Sequence, residues 1–206
     1  MKVLLINGSP HEKGCTYTAL SLIAGELKAQ GIETEILHVG GQPVGGCIGC
    51  GGCAKGSGCV FGGVVNEAIE KAKTADAFVF GSPVHYASAA GNMASFMDRL
   101  AYAGGKYLAY KPAAICCSAR RAGTTSTLDQ LVKYPQFFHM PLVNGSYWAM
   151  VHGSNPEQVL QDAEGCAVMQ ELGRNMAWLL HCIEAGKAAG IDHPQNPPRP
   201  MTSFIR

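Results

Sequence analysis

The chain has 206 residues, enough for one domain with a substantial core and too few for two comfortable ones. Apolar residues make up 47% and charged residues 15%, below the ~25% of an average soluble chain, which argues against a disordered or coiled-coil protein. A formal net charge of +1, with no basic run longer than Arg120-Arg121, argues against a nucleic-acid partner.

After Met1, Lys2-Val3-Leu4-Leu5-Ile6 reads as a strand and not as a leader peptide. Residues 16–30 follow with Leu20, Ile23, Ala24 and Leu27 at helical spacing, and Gly31 marks the stop. A second strand is predicted over 34–39, then a Gly/Cys-rich insertion loop over 40–61. Residues 64–73 predict a helix, and 77–80 a third strand ending at Gly81-Ser82-Pro83. A helix over 89–102 carries Ala90, Met93, Phe96, Met97 and Leu100 on one face, with Asp98 and Arg99 read as a local ion pair or oligomer contact. Residues 112–118 predict a fourth strand, 127–132 a helix, and Met140-Pro141-Leu142-Val143 a short fifth strand. The longest helix is predicted over 155–186, with Pro156 in its first turn. Its apolar stripe is Leu160, Ala163, Ala167, Leu172, Met176, Leu179 and Ile183. A Pro-rich tail over 191–206 has the composition of a segment that packs on a neighbouring subunit. No apolar stretch approaches the ~18 residues of a membrane span, so a cytoplasmic protein with no membrane partner is expected.

Strands alternating with helices predict an α/β fold: one domain over 1–206, with a doubly wound, five-stranded parallel sheet and helices on both faces. In such sheets ligands bind beyond the carboxyl ends of the strands, where the strand order reverses. Three post-strand loops, over 8–16, 82–86 and 118–123, would meet at that rim.

The first loop has phosphate chemistry. Ser9 and Thr16 bracket a turn through Gly14 and Cys15 that opens a helix, and hydroxyls with first-turn N–H groups suit a phosphate dianion. His11 and Lys13 add positive charge. The loop lacks Gly-x-Gly-x-x-Gly and the Gly-Lys-Ser/Thr of a P-loop, which favours a mononucleotide over a dinucleotide or triphosphate. The plainer alternative is an ordinary strand-to-helix turn capped by Thr16.

Lys2-Val3-Leu4-Leu5-Ile6-Asn7-Gly8-Ser9-Pro10 with Gly14-Cys15-Thr16 resembles the NAD(P)H-dependent FMN reductase and iron–sulfur flavoprotein branch of the flavodoxin-like superfamily. The resemblance continues through Gly46-Cys47-Ile48-Gly49-Cys50, Gly81-Ser82-Pro83-Val84-His85-Tyr86 and Met97-Asp98-Arg99-Leu100, covering about residues 1–123. It implies a flavodoxin-like fold, bound FMN, NAD(P)H as donor, and a homodimer or homotetramer. It also implies that Pro83, Val84, His85 and Tyr86 lie along the isoalloxazine ring. Ser118, Arg120, Arg121 and Gly123 would wrap its other side, with either Arg near N1 and O2, on an NADPH phosphate, or solvated. Two departures stand out: Cys15 replaces the Asn usual before the loop threonine, and His85 replaces the usual Tyr.

Cys47-x2-Cys50-x2-Cys53-x5-Cys59 is the most specific chemical feature. The odd total of nine cysteines, in a reducing compartment, argues against a disulfide framework. Compact thiol spacing of this kind suits a [4Fe–4S] cluster and resembles the motif of the iron–sulfur flavoproteins. Zinc, which prefers two separated Cys-x-x-Cys knuckles, and an unmetallated loop are the alternatives. Cys116 and Cys117 are expected to be buried, Cys166 and Cys182 to pack in the last helix's core stripe, and Cys15 to be a reactive thiol at a helix N-terminus. No Ser/His/Asp arrangement is present, so no single catalytic residue is expected. Two functions fit: an FMN oxidoreductase serving a small-molecule acceptor or redox protein, or a carrier passing ferredoxin electrons through a cluster to FMN.

Overall fold

The computed structural model describes every residue except 57, 199, 203, 205 and 206. In chain order its elements are β1 (Lys2–Asn7), α1 (Cys15–Ala29), β2 (Glu33–His38), α2 (Val64–Thr74), β3 (Ala77–His85), β4 (Ser88–Ala89), α3 (Gly91–Gly104), β5 (Ala113–Ala119), α4 (Thr124–Phe137), β6 (Met150–His152), α5 (Pro156–Val159) and α6 (Ala163–Ala188). The parallel strands run β2-β1-β3-β5-β6, the flavodoxin-like order, with β4 folded back antiparallel on β3. The five-stranded parallel sheet is as expected.

Two cores follow from the pleat. In β1, Leu4 and Ile6 face one side while Val3 and Leu5 face the other, because successive side chains alternate across a strand. Leu4, Ile6, Phe78, Phe80 and Ile115 pack under α2, α3 and α4. Val3, Leu5, Val79, Ala114 and Cys116 pack under α1 and α6. Strands buried on both faces read as continuous apolar runs, which is why β1, β3 and β5 were legible. No helix among the described residues is long and apolar enough to cross a membrane.

The fifth strand is Met150–His152, not 140–143. Leu142 makes only an isolated parallel bridge to Ala113 before the chain leaves the sheet and returns opposite Cys117–Ala119. The long final helix is two helices, because Asp162 interrupts it. Its carboxylate accepts from Gly165 N at 2.9 Å as the cap of α6, and from His152 N at 2.7 Å. Such local side-chain bonds compete with helix continuation. The buried stripe of α6 is accordingly Gly165, Val168, Met169, Leu172, Gly173, Met176, Ala177 and Leu180. Leu160 is 59% exposed, Ala163 and Ala167 also face solvent, and Cys182 is exposed and not in the core.

The third strand runs past its predicted end, because Pro83, Val84 and His85 continue β3 into a hairpin with β4. In the tail, the His193 ring stacks on Tyr110 of the same chain at 4.4 Å, and Asn196 donates to the Tyr110 hydroxyl. The predicted tail also includes residues 199, 203, 205 and 206, which lie outside the described residues.

Candidate functional site

The strand order reverses between β1 and β3, and the loops that follow β1, β3 and β5 converge there. Gly8 N donates to Gly81 O at 2.9 Å, joining the first loop to β3. Thr16 Oγ1 and Ser118 Oγ share a 2.8 Å hydrogen bond, joining the first loop to the third. Pro83 lies opposite Ser118 in the β3–β5 register, which sets the second loop beside the third. Gly123 closes this last contact: at φ +91, a Cβ there would stand 2.7 Å from Ala87 Cα. Only glycine allows that approach.

In the first loop, Asn7 Oδ1 accepts from Ser9 N at 3.1 Å, and Ser9 Oγ accepts from His11 N at 3.1 Å. His38, at the end of β2, bonds Ser9 O through Nε2 at 2.7 Å, a support that sequence reasoning missed. His11 and Lys13 are exposed, and Gly14 precedes α1 with no side-chain cap on the helix. The first-turn N–H groups of α1 therefore face the loop with no intrahelical partner, the arrangement that receives an anion. Thr16 differs from expectation: its hydroxyl is fully buried and committed to Ser118. Cys15 also differs. Burial pushes its thiol pKa up, and its Sγ donates to Gly153 O at 3.5 Å, so it is not an activated thiol.

The second loop turns at Tyr86 and Ala87, both at positive φ (+50 and +59), a two-residue hairpin of the primed kind. Such turns usually hold Asn or Gly, so two side chains here are strained. His85 and Tyr86 project into solvent at the rim. Gln130 from α4 holds the hairpin, accepting from Ser88 Oγ and Ala89 N at 2.7 and 2.9 Å. Arg120 and Arg121 are exposed on the third loop.

The cysteine loop is fastened along α3. Asn92 donates to Gly40 O and Gln42 O at 3.1 and 2.9 Å, and its Oδ1 accepts from Val44 N. Two turns on, Arg99 donates Nε–H to Cys59 Sγ at 3.2 Å, and its terminal nitrogens donate to Gly45 O and Gly62 O at 3.3 and 3.0 Å. Asn66 brackets the Cys59 backbone, accepting from its N at 2.8 Å and donating to its O at 3.0 Å. Gly49 and Gly51, at φ +65 and +68, wind the chain on either side of Cys50. Cys47, Cys50, Cys53 and Cys59 all line one cavity of about 270 Å³, together with Arg99 and Tyr102. Among the described residues no three Cys, His, Asp or Glu side chains are set to hold a single metal ion.

Asp98 and Arg99 are not the ion pair expected. Asp98 accepts from the Tyr134 hydroxyl at 2.6 Å, while Arg99 turns into the cysteine loop. The signal was available, since Asn92 and Arg99 stand seven apart on one helix face beside an otherwise apolar stripe. Larger cavities lie elsewhere. One of about 840 Å³ sits by Tyr110, Lys111 and His193 at the opposite end of the strands, and carries none of the rim chemistry.

Comparison with known proteins agrees with this geometry. The model of the family "NADPH-dependent FMN reductase" matches residues 1–155. An iron–sulfur flavoprotein of Methanocaldococcus jannaschii is 27% identical over 192 residues, covering 89% of this chain and all of the relative. A flavodoxin from the Archaea superposes with a TM-score of 0.60 at 14% identity, over 88% of this chain and 99% of its own. RosB, solved with 8-demethyl-8-formylriboflavin-5'-phosphate, gives a TM-score of 0.70 at 14% identity over 100% of this chain and 94% of its own. At those identities the solved structures show the fold.

Proposed function

The chain belongs to the NADPH-dependent FMN reductase family, and from that premise we propose that it is a flavin oxidoreductase that holds FMN at the three-loop rim and takes electrons from NAD(P)H. The observation that carries this reading is the convergence of the loops after β1, β3 and β5 at the point where strand order reverses. The residues present fit the group. The uncapped N-terminus of α1, with Ser9, Gly14 and the exposed His11 and Lys13, forms a cradle for a terminal phosphate. Cys15 and Thr16 supply backbone N–H groups there, while the Thr16 hydroxyl ties the cradle to β5.

Pro83, Val84, His85 and Tyr86 would flank one edge of the ring, and Ser118, Arg120, Arg121 and Gly123 the other. Bound FMN would supply the redox chemistry, taking reducing equivalents from NAD(P)H and passing them to an acceptor. The chain's own part is to hold the ring and present Arg120 and Arg121 as positive charge. No side chain need act as nucleophile. The acceptor is a small molecule or a redox protein. Nine free thiols suit a reducing, cytoplasmic setting.

A second reading is favoured by the cysteine loop. Four cysteines around one cavity, with a buried guanidinium at Cys59, form a soft donor set that fits a [4Fe–4S] cluster. Cys47, Cys50, Cys53 and Cys59 would be its ligands, and the chain would carry electrons from a ferredoxin to FMN. Exposed Ile48, Val60, Phe61 and Tyr102 surround this loop, an apolar surface suited to a second copy in a homodimer or homotetramer. An anaerobic absorption spectrum with FMN and iron quantified tests both readings. Bleaching of the flavin by NADH or NADPH supports the reductase, and its absence with either nucleotide rejects it. Iron near four per chain, on cluster stoichiometry, supports the carrier.

A further inference from the structure

We propose that Arg99 is the positioning residue of the cysteine-loop centre: it anchors Cys59 from inside the protein and supplies the positive charge that sets the centre's reduction potential. The inference rests on the iron–sulfur reading above. Arg99 is only 6% exposed, and among the described residues it is the sole charged side chain in the core. Burying a charge without a partner costs several kcal/mol as an order of magnitude, so a buried guanidinium calls for an anionic neighbour. Among the described residues no carboxylate pairs with it: its nitrogens donate to Cys59, Gly45 and Gly62, and adjacent Asp98 accepts from Tyr134. Its neighbours are two carbonyl oxygens, the Phe61 ring at 5.4 Å and the sulfur of Cys59.

Of these, the Cys59 sulfur, 3.2 Å from Nε, is the one that would carry negative charge when it serves as a cluster ligand. The guanidinium's planar fork then does two things at once. Nε–H holds the sulfur, while the terminal nitrogens hold the loop at Gly45, two residues before Cys47, and at Gly62, three residues after Cys59. A centre bound by four thiolates carries net negative charge. A fixed cation and an N–H···S bond favour the added electron on reduction, which raises the potential. No bond to carbon forms or breaks: one electron passes to the centre from a reduced ferredoxin, or from dithionite in the test, and the donor is oxidised by one electron. Lysine would keep the charge and lose the fork.

The test is anaerobic reconstitution of the full chain and of its Arg99→Gln and Arg99→Lys variants with ferrous iron and sulfide. Iron per chain is counted, and the midpoint potential is read by mediated dithionite titration followed by electron paramagnetic resonance. FMN content reports whether each variant folds. The expected result is a reduction equilibrium at least tenfold less favourable in Arg99→Gln, which for a one-electron couple is a drop of about 59 mV. Arg99→Lys should fall between that and the parent, and loss of iron from either variant with FMN retained supports the same role. An Arg99→Gln chain with parental iron and potential overturns the inference while leaving the cluster intact. If Arg99→Gln fails to hold FMN, the Lys variant decides, and parental values there overturn it. A parent chain that takes up no iron removes the cluster reading and this inference together.

Discussion

Thr16 Oγ1 and Ser118 Oγ lie 2.8 Å apart, fully buried, and link the start of α1 to the end of β5. The bond fixes the phosphate loop against the third loop of the rim, so the anion cradle and the ring edge are held in one frame. Replacing Ser118 with Ala leaves the Thr16 hydroxyl buried without a partner, at a cost of about 1–3 kcal/mol. Urea unfolding of Ser118→Ala should show that loss, together with weaker FMN retention. Thr16→Val combined with Ser118→Ala should recover part of the stability, because both polar groups are then gone.

The hairpin at Tyr86 and Ala87 stores strain. Both residues occupy positive φ, which costs a side-chain-bearing residue about 1–2 kcal/mol. Ala87→Gly should therefore raise the thermal midpoint, with a gain of roughly 1 kcal/mol. Gly123→Ala should do the opposite by a larger margin, since its Cβ would meet Ala87 Cα at 2.7 Å. Equal stabilities for the two variants would contradict this account of the rim.

Acid stability should depend on Glu35, which bridges Lys2 at 2.8 Å and Lys71 at 2.6 Å. The bond from Lys2, then that from Lys71, holds its carboxyl below the usual value. A depressed carboxyl contributes stability above its unfolded pKa, about 4.3, and loses it as pH falls through the folded value. Glu35→Gln should flatten the acid limb below about pH 4.3 and cost under about 1 kcal/mol at pH 7, since the pairs are solvent-screened. An unchanged acid limb would sink the assignment.

Thiol reactivity should divide the cysteines. Burial pushes the Cys117 thiol up to about 12 and the Cys116 thiol higher still, so neither supplies thiolate at pH 8. Cys47 and Cys50 are exposed on the loop. Iodoacetamide on the metal-free folded chain at pH 8, read by peptide mass spectrometry, should label Cys47 and Cys50 within minutes and leave Cys116 and Cys117 unlabelled until unfolding.

The sequence by itself determined the three central strands, because β1, β3 and β5 are buried on both faces and leave an uninterrupted apolar signal. It determined equally that three chemically unusual loops follow those strands and that four cysteines share one segment. Composition and local spacing are enough for such features. Tertiary structure alone decided the rest, because those outcomes depend on partners distant along the chain. Whether 140–143 or 150–152 forms the edge strand depends on which segment finds β5. The break at Asp162 depends on the end of β6 offering His152 N. Thr16 was legible as a loop hydroxyl, yet its orientation is set by Ser118, 102 residues away. Arg99 was legible as half of a local ion pair with Asp98 or as an oligomer contact. Only folding brings the cysteine loop over it, buries the guanidinium and points it at Cys59.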